Sequence, residues 1–454
     1  MGAVFDRAAV GGVFSAVTEH QERMIHELWY KADETIAPLA ASIMTKGESD
    51  TDGRGFITRV EYATGSSASP SFTVARAKAR GTSTGSAALR DRWVSQSSKL
   101  EAVAYWDRDS LLQSFAKGPD ELFDVVERER KTKIELMRHR LSVWMVEDGF
   151  GRVCTVQTGS LTTGSGAGHR TFKASLSTVN RLRKGDDIQF FALKTSPQCR
   201  GTGGTYNGVW TVAGTDPDDG TVTLEDRGGS GNVPYDTDGA RDSDIVCWDG
   251  YHQNAASPAT ALPVCMLGLQ AWIPFTAPSG GATFQNIIRD GIMELSGLRY
   301  NATASGLDHA GICINAAAKA HQYGTKLDAI YTSVQDFAIL CRNKDAVKIM
   351  EMEVGEYNIG FSGVHVLGGP SGKVAVLPDP TIEQGYAYGG PWNNKDFRPV
   401  LKHDMELINT DNFDGLEYMR DPDATGFEQR LFTRGAVIVP GPGKFIAVSG
   451  LPTS

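Results

Sequence analysis

Between residues 118 and 149 the apolar positions fall on a helical spacing at both ends of the stretch. Leu122 and Val126 come first, then Ile134, Met137, Leu141 and Trp144, with Phe123, Val125, Met145 and Val146 widening the stripe. From Glu127 to Lys133 there is no apolar residue, while Glu127 with Lys131 and Glu129 with Lys133 stand four apart and can pair along a helix. Pro119 suits a first helical position, Asp120 and Glu121 suit the positive end of the dipole, and Gly149 suits a left-handed closing residue. The pattern predicts one helix of roughly 30 residues, about 45 Å long. Two helices joined by a charged bend is the alternative, although neither Gly nor Pro occurs between Asp120 and Asp148. The stripe is too interrupted for a coiled coil. Its ends can pack, and the charged waist of Glu127, Arg128, Glu129, Arg130 and Lys131 is left to meet solvent or a neighbour.

Ahead of this helix, Met24, Leu28, Ile36, Leu39 and Ile43 give some helical patterning within residues 1–55, an extended arm. Residues 56–63 and 71–80 have a strand-like pattern, and a Gly/Ser/Thr loop leads into 89–106, where Trp93 stands among polar residues. Strands carrying Arg76, Lys78, Arg80, Arg90 and Arg92 have little to bury on either face, so this long hairpin needs a partner surface. Behind the helix, short runs at 172–182, 184–194, 208–216, 218–226 and 242–250 alternate with Asp-Gly and Gly-Gly turns. They predict a small antiparallel barrel or sandwich over 171–250, inserted into the chain because helical patterning resumes after it. Helices are expected at 284–295, 311–322 and 334–350, a buried strand at 325–333, two strands within 363–379, and two β-rich runs joined by a Pro-Gly turn at the end. A strand feeding a helix suggests a mixed sheet with helices on it.

Composition narrows the function. A chain of 454 residues, 41% hydrophobic and 22% charged, can hold two or three compact domains. A net charge of −9 argues against nucleic acid or an anionic membrane as the main partner, since phosphate binding needs clustered Lys and Arg. Six scattered cysteines without a C-x-x-C pair predict buried, reduced thiols, and no run approaches the ~18 apolar residues of a membrane span. A soluble protein made in a reducing cytoplasm is expected. Residues 368–374, GGPSGKV, miss the phosphate-loop spacing, and Val374 stands where a magnesium-binding hydroxyl belongs. Asp216, Asp218 and Asp219 resemble the start of a calcium loop without its closing glutamate, and fit a hairpin turn. No two of the nine histidines pair at i,i+3 or i,i+4. No catalytic set, metal site or cofactor is expected.

The order of parts, a flexible arm, a polar hairpin, a solitary long helix beginning GPDELFD and a mixed region containing LDAIYTSVQDFAIL, resembles the major capsid protein of tailed bacteriophages, the α+β Hong Kong 97-type capsid fold. The resemblance implies an N-terminal arm at 1–55, an E-loop hairpin at 56–110 and a peripheral domain with the spine helix at 111–160. It further implies an inserted β domain at 161–260, an axial domain at 261–434 and C-terminal strands at 435–454 that return to the peripheral domain. The protein would then build hexamers and pentamers of an icosahedral virion shell, assembled in the bacterial host cytoplasm. Its implied partners are a separate scaffolding protein, a portal, a decoration protein and packaged DNA touched only non-specifically, with no membrane. Arg76, Lys78, Arg80, Arg90, Arg92 and Trp93 on the hairpin, and Glu127 to Lys131 on the helix, become the expected assembly contacts. Some relatives cross-link an E-loop lysine, for which Lys78 and Lys99 are the lysines available. Another virion component such as a tail or baseplate protein, and an enzyme or carbohydrate-binding protein built on the β-rich middle, stay open as alternatives.

Overall fold

The computed structural model describes residues 45–46, 55–63, 89–96, 98–107, 119–157, 162–163, 169–191, 209–225, 244–250, 265–279, 281, 283–285, 287–342, 364–367, 372–393, 396–407, 419–420 and 426–452. Its first principal elements are β1 (Gly55–Ala63), β2 (Leu89–Gln96), β3 (Ser98–Asp107) and the helix α1 (Pro119–Val146). Then come β4 (Arg152–Thr155), β5 (His169–Lys173), β6 (Asp187–Phe191), β7 (Val209–Thr215), β8 (Thr221–Glu225) and β9 (Ile245–Trp248). The remainder comprises β10 (Leu298–Asn301), α2 (His309–Gln322), β11 (Ala329–Thr332), α3 (Val334–Arg342), β12 (Val364–Leu367) and β13 (Lys373–Pro378). It closes with β14 (Tyr386–Gly390), β15 (Arg398–Leu407), β16 (Gly426–Ile438) and β17 (Ile446–Ser449).

The long stretch is one helix of 28 residues, without the bend. Arg130, Ile134, Met137 and Leu141 recur at intervals of four, three and four, and this stripe is buried. The helix packs on β3, whose alternate residues Leu100, Ala104 and Trp106 are buried. In turn β3 pairs antiparallel with β16 along its whole length, from Ser98 opposite Gly435 to Asp107 opposite Gly426. Strand β15 pairs on the far side of β16.

The β-rich middle is a seven-stranded sheet in the order β4, β9, β6, β7, β8, β5, followed by the short Thr162–Thr163 strand. Every pairing in it is antiparallel. The sheet curls, since the Val156 amide donates to the Asp244 carbonyl while the next amide, Gln157, donates to Lys173 at the opposite side. Its first strand, β4, lies before the expected boundary at 161. Phe172, Ile188, Phe190, Val222, Val246 and Trp248 also share one continuous core with Ile134, Met137 and Trp144 of α1. The sheet is therefore seated on the helix and not sealed within itself.

The six-stranded sheet runs β10, β17, β14, β11, β13, β12. Parallel pairs (β10 with β17, β11 with β13) and antiparallel ones mix, as the strand-then-helix pattern predicted. Alternation assigns its two faces: Ile330, Ala387, Ile446 and Val448 meet α2 and α3, whereas Ala329, Tyr331, Tyr388 and Ala447 join the core beneath α1. Asp308 caps α2 by accepting the Gly311 amide at 2.8 Å. The last strand, β17, pairs inside this sheet, beside β14 and β10.

The helix expected at 284–295 is not formed. Thr283–Phe284 pairs with Ile287–Ile288 as a small ladder, and helix is confined to Met293–Ser296. Gly291 has a positive φ of 68° and interrupts the run, while Phe284 is claimed by a tryptophan cluster. Of the helix expected at 334–350, Val334–Arg342 is observed, and the remainder lies outside the described residues.

Candidate assembly surfaces

Strands β1 and β2 form a two-stranded sheet of their own, which belongs to no larger sheet among the described residues. Its root is fixed by Trp93. The indole is completely buried, stands edge-on to Trp272 (5.3 Å between centroids) and Phe284 (5.7 Å), and Trp272 in turn donates to the Val437 carbonyl of β16 at 3.0 Å. Ser95, two residues on and buried too, donates to Gln285 at 3.1 Å. Trp93 is thus a core anchor and not an exposed assembly contact, which corrects the expectation drawn from its polar neighbours.

The register of the pair sets Arg92 opposite Arg59 and Arg90 opposite Glu61. Arg76, Lys78 and Arg80 lie outside the described residues, as does the side chain of Glu127. Lys99 pairs with Glu101 on the exposed face of β3 and lies 5.7 Å above the Phe432 ring. Val103 and Tyr105 are exposed on that face as well.

The waist of α1 splits by face. Arg128 and Lys131 are exposed, and Glu129 pairs with Lys133 at 3.2 Å as the spacing predicted. Arg130 is 0% exposed, which corrects its place among the surface contacts. It sits four residues after Val126 and four before Ile134, on the apolar stripe, and its charge concealed that position in the sequence. Within 128–131 the two exposed side chains, Arg128 and Lys131, are cationic, while Glu129 is half-buried beside Lys133.

Elsewhere, sequence features that suggested chemistry resolve as structure. Asp216 accepts the Asp218 amide at 3.0 Å and Asp219 the Thr221 amide at 2.9 Å, forming the hairpin turn between β7 and β8. Gly220 there has φ of 75°, and a Cβ would fall 2.4 Å from the Ala174 carbonyl oxygen. Of the glycine-rich run, Gly372 leads into β13, which pairs antiparallel with β12, and residues 368–371 lie outside the described residues. Cys154, Cys247, Cys265 and Cys313 are buried, and burial pushes the Cys154 and Cys313 thiols up to about 12. Such thiols are poor nucleophiles at neutral pH. Among the described residues no group of three or more His, Cys, Asp or Glu is placed to hold a metal ion, and no helix is long and apolar enough to cross a membrane.

No protein-family model matches the chain, and none of the curated proteins does. Solved structures are similar over nearly its full length. The capsid asymmetric unit of cyanophage A-1(L) matches with a TM-score of 0.48 at 9% identity, covering 92% of this chain and 93% of that one. The capsid of a native GTA particle matches with a TM-score of 0.42 at 10% identity over 90% and 88%. The holo-SrpI encapsulin complex from Synechococcus elongatus matches at 0.41 and 8% over 93% and 90%.

Proposed function

We propose that the chain is a structural, non-catalytic subunit that assembles with copies of itself into the icosahedral head of a tailed phage, on a Hong Kong 97-type capsid fold. The observation that carries this is the two-stranded β1–β2 sheet, rooted in the core through Trp93 yet joined to no further strand among the described residues. A lone pair of strands is marginally stable in water, so a neighbouring subunit is the surface that holds it. The arm is assigned to 1–55, the E-loop to 56–110, the peripheral region to 111–160, the β insertion to 161–260 and the axial region to 261–434. The pairing of β17 supports grouping that strand with the axial region.

Arg128 and Lys131 carry the same sign as Arg76, Lys78, Arg80, Arg90 and Arg92, so these cations do not pair with one another. Each is assigned instead to acidic groups of a neighbour, which a chain of net charge −9 supplies in excess. A scaffolding protein, a portal and a decoration protein are the further partners assigned, with assembly in the host cytoplasm and DNA touched only non-specifically.

Sedimentation and negative-stain imaging of the expressed protein test this. Capsomers or closed shells are expected. Rings or tubes would reassign it to a tail or baseplate, and a persistent monomer under all conditions, scaffold included, would overturn the proposal.

A further inference from the structure

Residues 379–385 join β13 to β14, and this turn is gripped from two directions. From the seven-stranded sheet, Arg181 Nη2 donates to the Thr381 carbonyl and Asn180 to the Pro380 carbonyl at 3.5 Å. The Gln384 amide donates to Ser177 Oγ at 2.9 Å, and Arg152 Nη1 lies 3.3 Å from Glu383 Oε2. From the helix layer, Asp336 of α3 accepts the Gly385 amide through Oδ2 at 2.8 Å, and the same oxygen accepts Ser333 Oγ at 2.8 Å. His309, opening α2, stands 3.4 Å from the other oxygen of Asp336.

Arg181 also reaches the end of the long helix. Its Nη1 donates to Glu147 Oε1 at 2.7 Å and to the Val153 carbonyl at 2.8 Å, while Glu147 Oε2 accepts Arg152 Nε at 2.8 Å. Both Arg181 and Glu147 are buried. One rigid guanidinium thus touches α1's end, β4 and the 379–385 turn, and in a water-poor setting each of those bonds is costly to leave unmade.

We propose that the 379–385 turn is a coupling element and Arg181 its positioning residue, making the seven-stranded sheet, the end of the long helix and the helix-backed sheet move as one body. This concerns a single subunit and stands whether or not copies form a shell. Loosening the grip on one side of the turn loosens the grip on the other, because Gln384, held by Ser177, and Gly385, held by Asp336, are consecutive residues.

Hydrogen–deuterium exchange of the full chain, resolved to single amides, tests it. Arg181→Lys keeps the charge and loses the planar fork, and is expected to speed exchange at both Gln384 and Gly385 at least about tenfold while amides inside α2 keep their wild-type rates. Gly385 decides the matter. If Gln384 accelerates and Gly385 does not, the grips are independent and coupling is wrong. If every amide accelerates together, Arg181 only supports the fold and coupling is equally overturned. Ser177→Ala removes the acceptor of the Gln384 amide, along with the hydroxyl contact to Ser175, and leaves Asp336 in place, so it gives the same decision even where the lysine variant does not fold.

Discussion

The two halves of the long helix follow different rules. Near the waist one stripe is buried and Arg128, Lys131, Thr132 and Glu135 are exposed; from Leu141 through Gly149 every residue is buried, Ser142, Glu147 and Asp148 included. The cause lies in what covers α1. The waist meets the β3–β16 sheet on one side only, whereas the later half is also covered by the seven-stranded sheet, with Arg140 over the Trp248 ring at 5.1 Å and His139 bonded to the Arg181 carbonyl at 3.1 Å. Amphipathic spacing reports the first surface a helix meets. A second layer buries polar groups too, each with a partner: Ser142 donates to the His139 carbonyl at 2.7 Å, and Asp148 accepts the Phe150 amide at 3.1 Å.

Substitutions can break or sharpen that contrast. Trp144→Ala, in the enclosed half, removes a fully buried indole and is expected to cost about 3–5 kcal/mol, read as a lower thermal midpoint. A loss under about 1 kcal/mol would mean that the second layer is loosely seated. Glu147→Gln takes a shared carboxylate from two arginines and is expected to cost about 3 kcal/mol.

The same residue sets a pH dependence. Burial alone would raise the Glu147 carboxyl, but the charge of Arg152 and then of Arg181, with their hydrogen bonds, outweighs it and holds the carboxyl below its ordinary 4.5. A depressed folded pKa gives stability that is complete above the ordinary value and is lost as pH falls through the folded one. Denaturant midpoints of the wild type should therefore drop below pH 4.5 more steeply than those of Glu147→Gln. Parallel curves would remove Glu147 as the source.

At the waist the contrast is between neighbours. Arg130→Glu, on the buried stripe, should cost about 2–3 kcal/mol in urea unfolding. Reversing Arg128 and Lys131 together should change stability by less than about 0.5 kcal/mol yet lower the yield of shells by sedimentation. If shells form at the wild-type yield, the exposed waist is merely solvated.

Much of this is legible in the sequence alone. Long-range periodicity and end signals gave α1 from Pro119, and Asp-Gly turns gave most of the seven-stranded sheet. The stretch TKLDAIYTSVQDF gave β11 running into α3, because a buried strand and an amphipathic helix write different periods. The misses share one cause. Phe284, Trp93 and Arg130 each sit in a locally polar or ambiguous context, and their fate is decided by residues far away in sequence, such as Trp272 against Trp93. The candidate surfaces were legible as charge but not as orientation, since only the packing of β3 under α1 tells Arg130 from Lys131.

The pairing of β3 with β16 also has a consequence in time. Its partners are roughly 320–340 residues apart, so at ~5–20 residues per second on a ribosome β3 waits on the order of 15–70 s for its partner strand. Through that interval Leu100, Ala104 and Trp106 are without the strand that covers their edge in the folded chain. Soluble yield is then governed by how quickly the C-terminal third is translated relative to how crowded the nascent chains are, and slower initiation at the same elongation rate should raise it without any change to the folded state.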